Sequence, residues 1–166
     1  VIRALDIQQG QYIADIGAGS VYFTFRFAEA NGLSGKVYAV DVNSGMIDYI
    51  KLRSVEDGYL NVETILAEPQ DPLLPEGGVD LMFLCNTYHH IEDREKYFKH
   101  AARYLSDKGR VAIIDLVGEG WIEKISGHWI AKDVIRGEME AAGYRLQQEY
   151  GILPRQSFLI FTLADQ

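Results

Sequence analysis

The 166-residue sequence has one cysteine, four prolines and no uninterrupted apolar run of membrane-spanning length. One cysteine, Cys85, excludes an internal disulfide and any paired-cysteine metal or redox motif, and it fits a reducing compartment. The short apolar runs exclude a helical membrane span, and no signal-peptide pattern precedes the first strand. Positive charge is also scarce: 16 Lys and Arg face 24 Asp and Glu, a net charge of −8. With no Lys/Arg cluster to neutralise phosphates, a nucleic-acid partner is excluded. Repeats, low-complexity tracts and linkers are absent. Residues 1–166 therefore read as one soluble, cytoplasmic domain, long enough to bury a single sizeable core.

What is present is an alternation of short apolar runs with segments of helical period, the mark of parallel β-α-β units. Tyr12 to Ile16 reads as a first strand, followed by a helix over Tyr22 to Ala30 with Phe23, Phe27 and Ala30 on one face. Lys36 to Val42 is the second strand, and Ser44 is placed to cap the next helix. Val62 to Ala67 and Val79 to Cys85 follow, the latter apolar enough for burial on both faces. Asp93 caps a helix bearing Tyr97, Phe98, Ala101 and Leu105, and Gly109 stands where a helix stop belongs. Val111 to Leu116 is the fifth strand. After a looser stretch comes a helix from Lys132 to Ala142. Tyr144 to Tyr150 and Ser157 to Leu163 are joined too tightly for a parallel crossover, so they must run antiparallel.

The most informative stretch is Asp15-Ile16-Gly17-Ala18-Gly19-Ser20, a glycine loop between the first strand and its helix. Two glycines let the backbone turn sharply and approach a ligand, and a helix N-terminus adds amide donors. Asp41 closes the second strand, where a carboxylate can accept bonds from both ribose hydroxyls. Loop and acid together point to an adenosine-containing cofactor. The dinucleotide fingerprint needs a further glycine at the position of Tyr22, which weakens the nicotinamide and flavin readings. Asp15 beside the loop would repel a pyrophosphate, whereas it suits the amino group of a methionine moiety.

These segments, with Val40-Asp41, Val79-Asp80-Leu81, His89-His90-Ile91-Glu92-Asp93 and the Leu105-to-Arg110 turn, resemble the class I S-adenosylmethionine-dependent methyltransferases. More narrowly, they are similar to the small-molecule enzymes of the ubiquinone/menaquinone-biosynthesis C-methyltransferase type. The resemblance implies an α/β, Rossmann-like doubly wound sheet of seven strands, mostly parallel with an antiparallel final strand. It also implies that Asp15, Gly17, Ala18 and Gly19 hold the methionine part of S-adenosylmethionine and Asp41 the ribose. By the same resemblance Val42 and Met46 flank the adenine, Glu68 meets its amino group, and Asn86 faces the cofactor. One position departs: the family carries a third glycine where this chain has Val21. A β-branched residue resists positive φ and adds bulk, so weaker cofactor binding is expected.

Methyl transfer needs alignment, exclusion of water and, for some acceptors, a base. The candidates stand where strand four ends, at the mouth of an open sheet: His89 and His90 as proton acceptors and Tyr88 as an acceptor contact. His128 and Trp129 lie in the stretch that covers the acceptor pocket in similar proteins. Adjacent histidines diverge along an extended chain, so no metal site is expected. Asn86-Thr87-Tyr88-His89 lacks the paired prolines of nucleobase amino-methylation. The expected function is methyl transfer to a small-molecule acceptor. The alternatives are a non-catalytic domain that kept the fold, favoured by Val21 and the missing lid, and an NAD-linked enzyme. The start so close to strand one leaves an N-terminal lid to a missing segment, a partner or an open acceptor site.

Overall fold

The computed structural model describes residues 1–117 and 129–164. A short helix α1 (Ile2–Leu5) leads into β1 (Tyr12–Ile16), α2 (Tyr22–Asn31), β2 (Lys36–Asp41), α3 (Ser44–Glu56) and β3 (Val62–Leu66). Then come β4 (Val79–Cys85), a 3₁₀ turn (Tyr88–His90), α4 (Arg94–Ala101), a second 3₁₀ turn (Ala102–Tyr104) and β5 (Leu105–Leu116). The chain continues through α5 (Lys132–Ala141), β6 (Tyr144–Glu149) and β7 (Gln156–Leu163). Among the described residues no helix is long and apolar enough to cross a membrane.

The strands form one seven-stranded sheet in the order β3-β2-β1-β4-β5-β7-β6. All neighbours are parallel except β7, which is antiparallel to both β5 and β6. The expected architecture holds. Because side chains alternate along a strand, the apolar run of β4 feeds two cores. Met82 and Leu84 join Tyr97, Phe98, Ile135 and Met139 on one face. Leu81 and Phe83 pack with Phe27 and Ala28 of α2 on the other. The chain order reverses between β1 and β4, so the carboxyl ends of those strands frame the crevice where open α/β sheets bind ligands.

Three local expectations are corrected. The N-cap of α3 is Asn43 rather than Ser44: its side chain accepts from the backbone N–H of Gly45 and Met46 at 2.9 and 3.2 Å. The buried face of α2 is Thr24, Phe27, Ala28 and Asn31, with Phe23 partly buried and Ala30 off it. Gly109 stops no helix; α4 ends at Ala101, and Gly109 lies inside β5. There Leu105 pairs with Val79 and Arg110 with Leu81, so the intervening residues bulge. A Cβ on Gly109 would come within 2.8 Å of Leu105 Cβ and the Val79 carbonyl oxygen, so close backbone approach is what demands glycine. Asp80 anchors the bulge, accepting from Ser106 Oγ at 2.9 Å and, with its other oxygen, from the Tyr12 amide at 2.9 Å.

Candidate functional site

The glycine loop leaves β1 in left-handed steps, with φ of 73° at Gly17 and 47° at Gly19. Its amides turn inward. Gly17 and Ala18 N–H both donate to the Val40 carbonyl, at 2.8 and 3.1 Å, and Gly19 N–H donates to Asp41 Oδ2 at 3.2 Å. Asp41 Oδ1 meanwhile accepts from the Asn43 amide at 2.9 Å. Three consecutive loop amides are thus engaged by β2. Such a loop is no phosphate nest, since those need amides aimed outward.

Val21 does adopt φ 63° and ψ 7°, the conformation that β-branched residues resist. Its isopropyl group, however, packs with Ala18, Ala39 and Ile50 at the foot of α2 and α3. It lines neither hollow beside Gly17. The expected bulk in the cofactor path is therefore absent, and what remains is backbone strain.

Two hollows meet at Gly17. The larger, about 330 Å³, is bordered by Asp41, Val42, Glu68, Thr87, His90 and Tyr97. Val42 is 59% exposed there, an apolar side chain directly after an acid. The smaller, about 300 Å³, is bordered by Asp15, Ala18, Gly19, Phe23, Cys85 and Asn86. A Cβ on Gly17 would run into the Thr87 side chain, so the close approach of the loop to the residues after β4 demands glycine at the position both hollows share. Asn86 takes φ 53°, tolerable for asparagine, and its Oδ1 accepts from Gln156 Nε2 at 2.9 Å. Met46 is half-buried on the first turn of α3 and borders neither hollow.

The smaller hollow is electronegative. Asp15 is 4% exposed, and burial pushes its carboxyl up to about 7, with the Asp41 charge adding to the rise. Opposing this, Thr24 Oγ1 donates to Asp15 Oδ2 at 2.6 Å, and the Thr24 amide supports the same carboxylate. The Cys85 thiol is pushed up to about 11 by burial and then by Asp15 and Asp115. Burial, the first cause of both rises, disfavours charge of either sign; the neighbouring carboxylates Asp15, Asp41 and Asp115 add the part that favours a cation.

The sequence-selected groups at the end of β4 divide. His90 borders the larger hollow. Tyr88 does not: it is 0% exposed, its hydroxyl donates to Glu138 Oε2 at 2.7 Å, and Arg94 holds the same carboxylate. Tyr88 is thus a core residue stacked on Phe98, away from any acceptor surface. His89 has a side chain only 6% exposed and is bound to Asp115, which is fully buried. Asp115 accepts from the His89 amide at 3.1 Å and from ring Nδ1 at 2.7 Å, while the Leu116 amide donates to it at 2.8 Å. With Nδ1–H committed to a carboxylate, the basic nitrogen of the ring is Nε2, an assignment made from the hydrogen-bond network. The His89 and His90 rings lie 4.0 Å apart. Trp129 is half-buried, its neighbour Ile130 donating to the Leu116 carbonyl at 3.3 Å. His128 lies outside the described residues. No group of three or more His, Cys, Asp or Glu side chains that could hold a metal occurs among the described residues. Sequence reasoning missed Thr24 and Asp115, both of which are found through their buried hydrogen bonds.

A doubly wound sheet with an antiparallel last strand, a glycine loop and an acid at the end of β2 defines a Rossmann-like nucleoside-binding class. Residues 14–113 match the family described as a methyltransferase domain. The chain belongs to that family. Among curated relatives, it is 28% identical over 112 residues to a ubiquinone/menaquinone biosynthesis C-methyltransferase of Cronobacter sakazakii, covering 66% of this chain and 44% of that protein. It is 27% identical over 113 residues to the aklanonic acid methyltransferase of a Streptomyces species, covering 66% of this chain and 51% of that protein. The chain thus spans about half the length of the curated relatives it matches. A SAM-dependent methyltransferase from Aquifex aeolicus superposes with a TM-score of 0.89 at 22% identity, over 98% of this chain and 87% of that one. The trans-methyltransferase CalH, solved in complex with SAH, gives 0.77 at 19%, over 93% and 52% of the two chains.

Proposed function

We propose that the chain binds S-adenosylmethionine across the ends of β1, β2 and β4 and transfers its methyl group to a small-molecule acceptor. One observation carries this reading: the loop amides are engaged by Val40 and Asp41, while the buried Asp15 makes the adjoining hollow electronegative. That combination suits a cationic nucleoside and opposes a pyrophosphate, which disfavours the NAD-linked alternative. The residues fit the group. Asp15, Gly17, Ala18 and Gly19 would hold its aminocarboxyl end, and Asp41 the ribose hydroxyls. Val42 would flank the adenine, with Glu68 at its amino group and Asn86 beside the smaller hollow, whereas Met46 borders neither hollow. When bound, the cofactor supplies an electrophilic methyl on a sulfonium.

The chain's own contribution is alignment and proton handling. His90 borders the larger hollow and would accept a proton there from an acceptor hydroxyl or acidic carbon, while His89, held at Nδ1 by Asp115, borders neither hollow. Trp129, with His128, would line the acceptor side. The alternative of a non-catalytic fold relative rested on Val21 and on the missing lid; with that isopropyl group packed away from both hollows, the first of these no longer supports it.

Equilibrium dialysis against S-adenosylmethionine, S-adenosylhomocysteine and NAD tests the reading. Retention of the first two and not the third is expected, with Asp41→Ala losing at least roughly tenfold in affinity, the scale of a lost hydrogen bond to a charged group. Retention of NAD alone, or of none, refutes it.

A further inference from the structure

We propose that Thr24, a residue bordering neither hollow, is a positioning residue for cofactor recognition, holding the Asp15 carboxylate aimed at the hollow from inside α2. The inference rests on the reading that Asp15 receives the cationic end of S-adenosylmethionine.

Thr24 is 0% exposed and its hydroxyl lies 2.6 Å from Asp15 Oδ2. The titratable groups facing Asp15 are Asp41 from β2, whose charge opposes its own, and Cys85 from β4, whose thiol Asp15 helps to push up. Thr24, through its hydroxyl and its amide, provides the hydrogen bonds that favour that charge. Donation to the ionised form is what keeps a buried carboxylate charged. The same contact has a second effect. The N-cap position of α2 is Val21, whose side chain caps nothing, so the first-turn amide of Thr24 is supported by Asp15 instead. The Asp15–Thr24 clasp therefore joins the two flanks of the glycine loop, the end of β1 and the first turn of α2. Deleting the hydroxyl removes both the aim of the carboxylate and part of its charge, although Thr24 itself touches no ligand surface.

Calorimetric titration with S-adenosylhomocysteine between pH 6 and pH 9 tests this on the wild type, Thr24→Val and Thr24→Ser. Thr24→Val, near-isosteric but without a donor, is expected to bind roughly tenfold more weakly at pH 7 or below. The pH at which its affinity rises is expected to move up by about one unit. Thr24→Ser is expected to restore both the affinity and the pH profile. A Thr24→Val protein that melts cooperatively yet binds with wild-type affinity and profile overturns the proposal. If Thr24→Val does not fold, Thr24→Cys is read in its place: its weak donor predicts a smaller upward shift, and an unchanged profile overturns the proposal. Failure of the wild type to bind is a different result, since it refutes the cofactor reading on which the inference stands.

Discussion

Replacing Asp15 by asparagine makes the fold more stable at neutral pH while removing cofactor binding, and the size of the gain depends on pH in a defined way. Burial raises the folded-state pKa of Asp15 from 3.8 to about 7. Below pH 3.8 both folded and unfolded chains hold this proton, and the group costs nothing. Between 3.8 and 7 the unfolded chain has lost the proton and the folded chain retains it, so stability falls as pH rises. Above 7 both are ionised, and the loss is complete. About three units correspond to roughly 4 kcal/mol in all, of which about 2.5 falls between pH 5 and pH 8. Asparagine removes the titration yet keeps an oxygen to accept from the Thr24 hydroxyl. Urea unfolding of both proteins, followed by tryptophan fluorescence across that range, measures the difference. The advantage of Asp15→Asn should grow by about 2.5 kcal/mol from pH 5 to pH 8. Curves that stay parallel within about 0.5 kcal/mol would show that Asp15 is not a desolvated carboxylate.

Val21→Gly relieves about 1–2 kcal/mol of left-handed strain. It also forfeits about 1.5–3 kcal/mol of buried isopropyl group, so a net loss near 1 kcal/mol in thermal or urea unfolding is expected. S-adenosylhomocysteine affinity should stay within about threefold by calorimetry, because the side chain packs away from both hollows; a gain of roughly tenfold would reinstate Val21 as an obstruction. Tyr88→Phe should cost about 1–2 kcal/mol of stability through the lost bond to Glu138, with acceptor KM unchanged in steady-state assays. His90→Ala should lower the methyl-transfer rate about 100-fold while cofactor affinity by calorimetry stays within about threefold; an unchanged rate would remove His90 from proton transfer.

Most strands were legible as short apolar runs, and the antiparallel end was legible because the link between the last two strands is too short for a crossover. What escaped was set by contacts between distant residues. Gly109 looked like a helix stop because helix-end grammar is local, whereas its requirement comes from Leu105 and the Val79 carbonyl across a bulge. Ser44 looked like a cap because serine generally is one, but the backbone leaves the extended region one residue earlier and gives that place to Asn43. At the β4 end, Tyr88, His89 and His90 all read as standing at the mouth of the sheet. The 3₁₀ turn separates them, sending Tyr88 into the core and His90 to the hollow.

Asp15 and Asp41 could be singled out from spacing alone because a residue at the end of a parallel strand reaches the crevice whatever the rest of the sequence does. Their partners could not. Thr24 reaches Asp15 across nine residues, and His89 reaches Asp115 across 26, through pairings that only strand register and helix rotation create. Val21 shows where such reading stops. Its substitution for glycine announces a positive φ, and the backbone there is left-handed. The direction of its side chain is a separate matter, decided by Ala18, Ala39 and Ile50, small and apolar enough to receive an isopropyl group below the loop. Strain at that position is therefore compatible with an open crevice: the backbone stores it while the packing keeps the bulk out of the way.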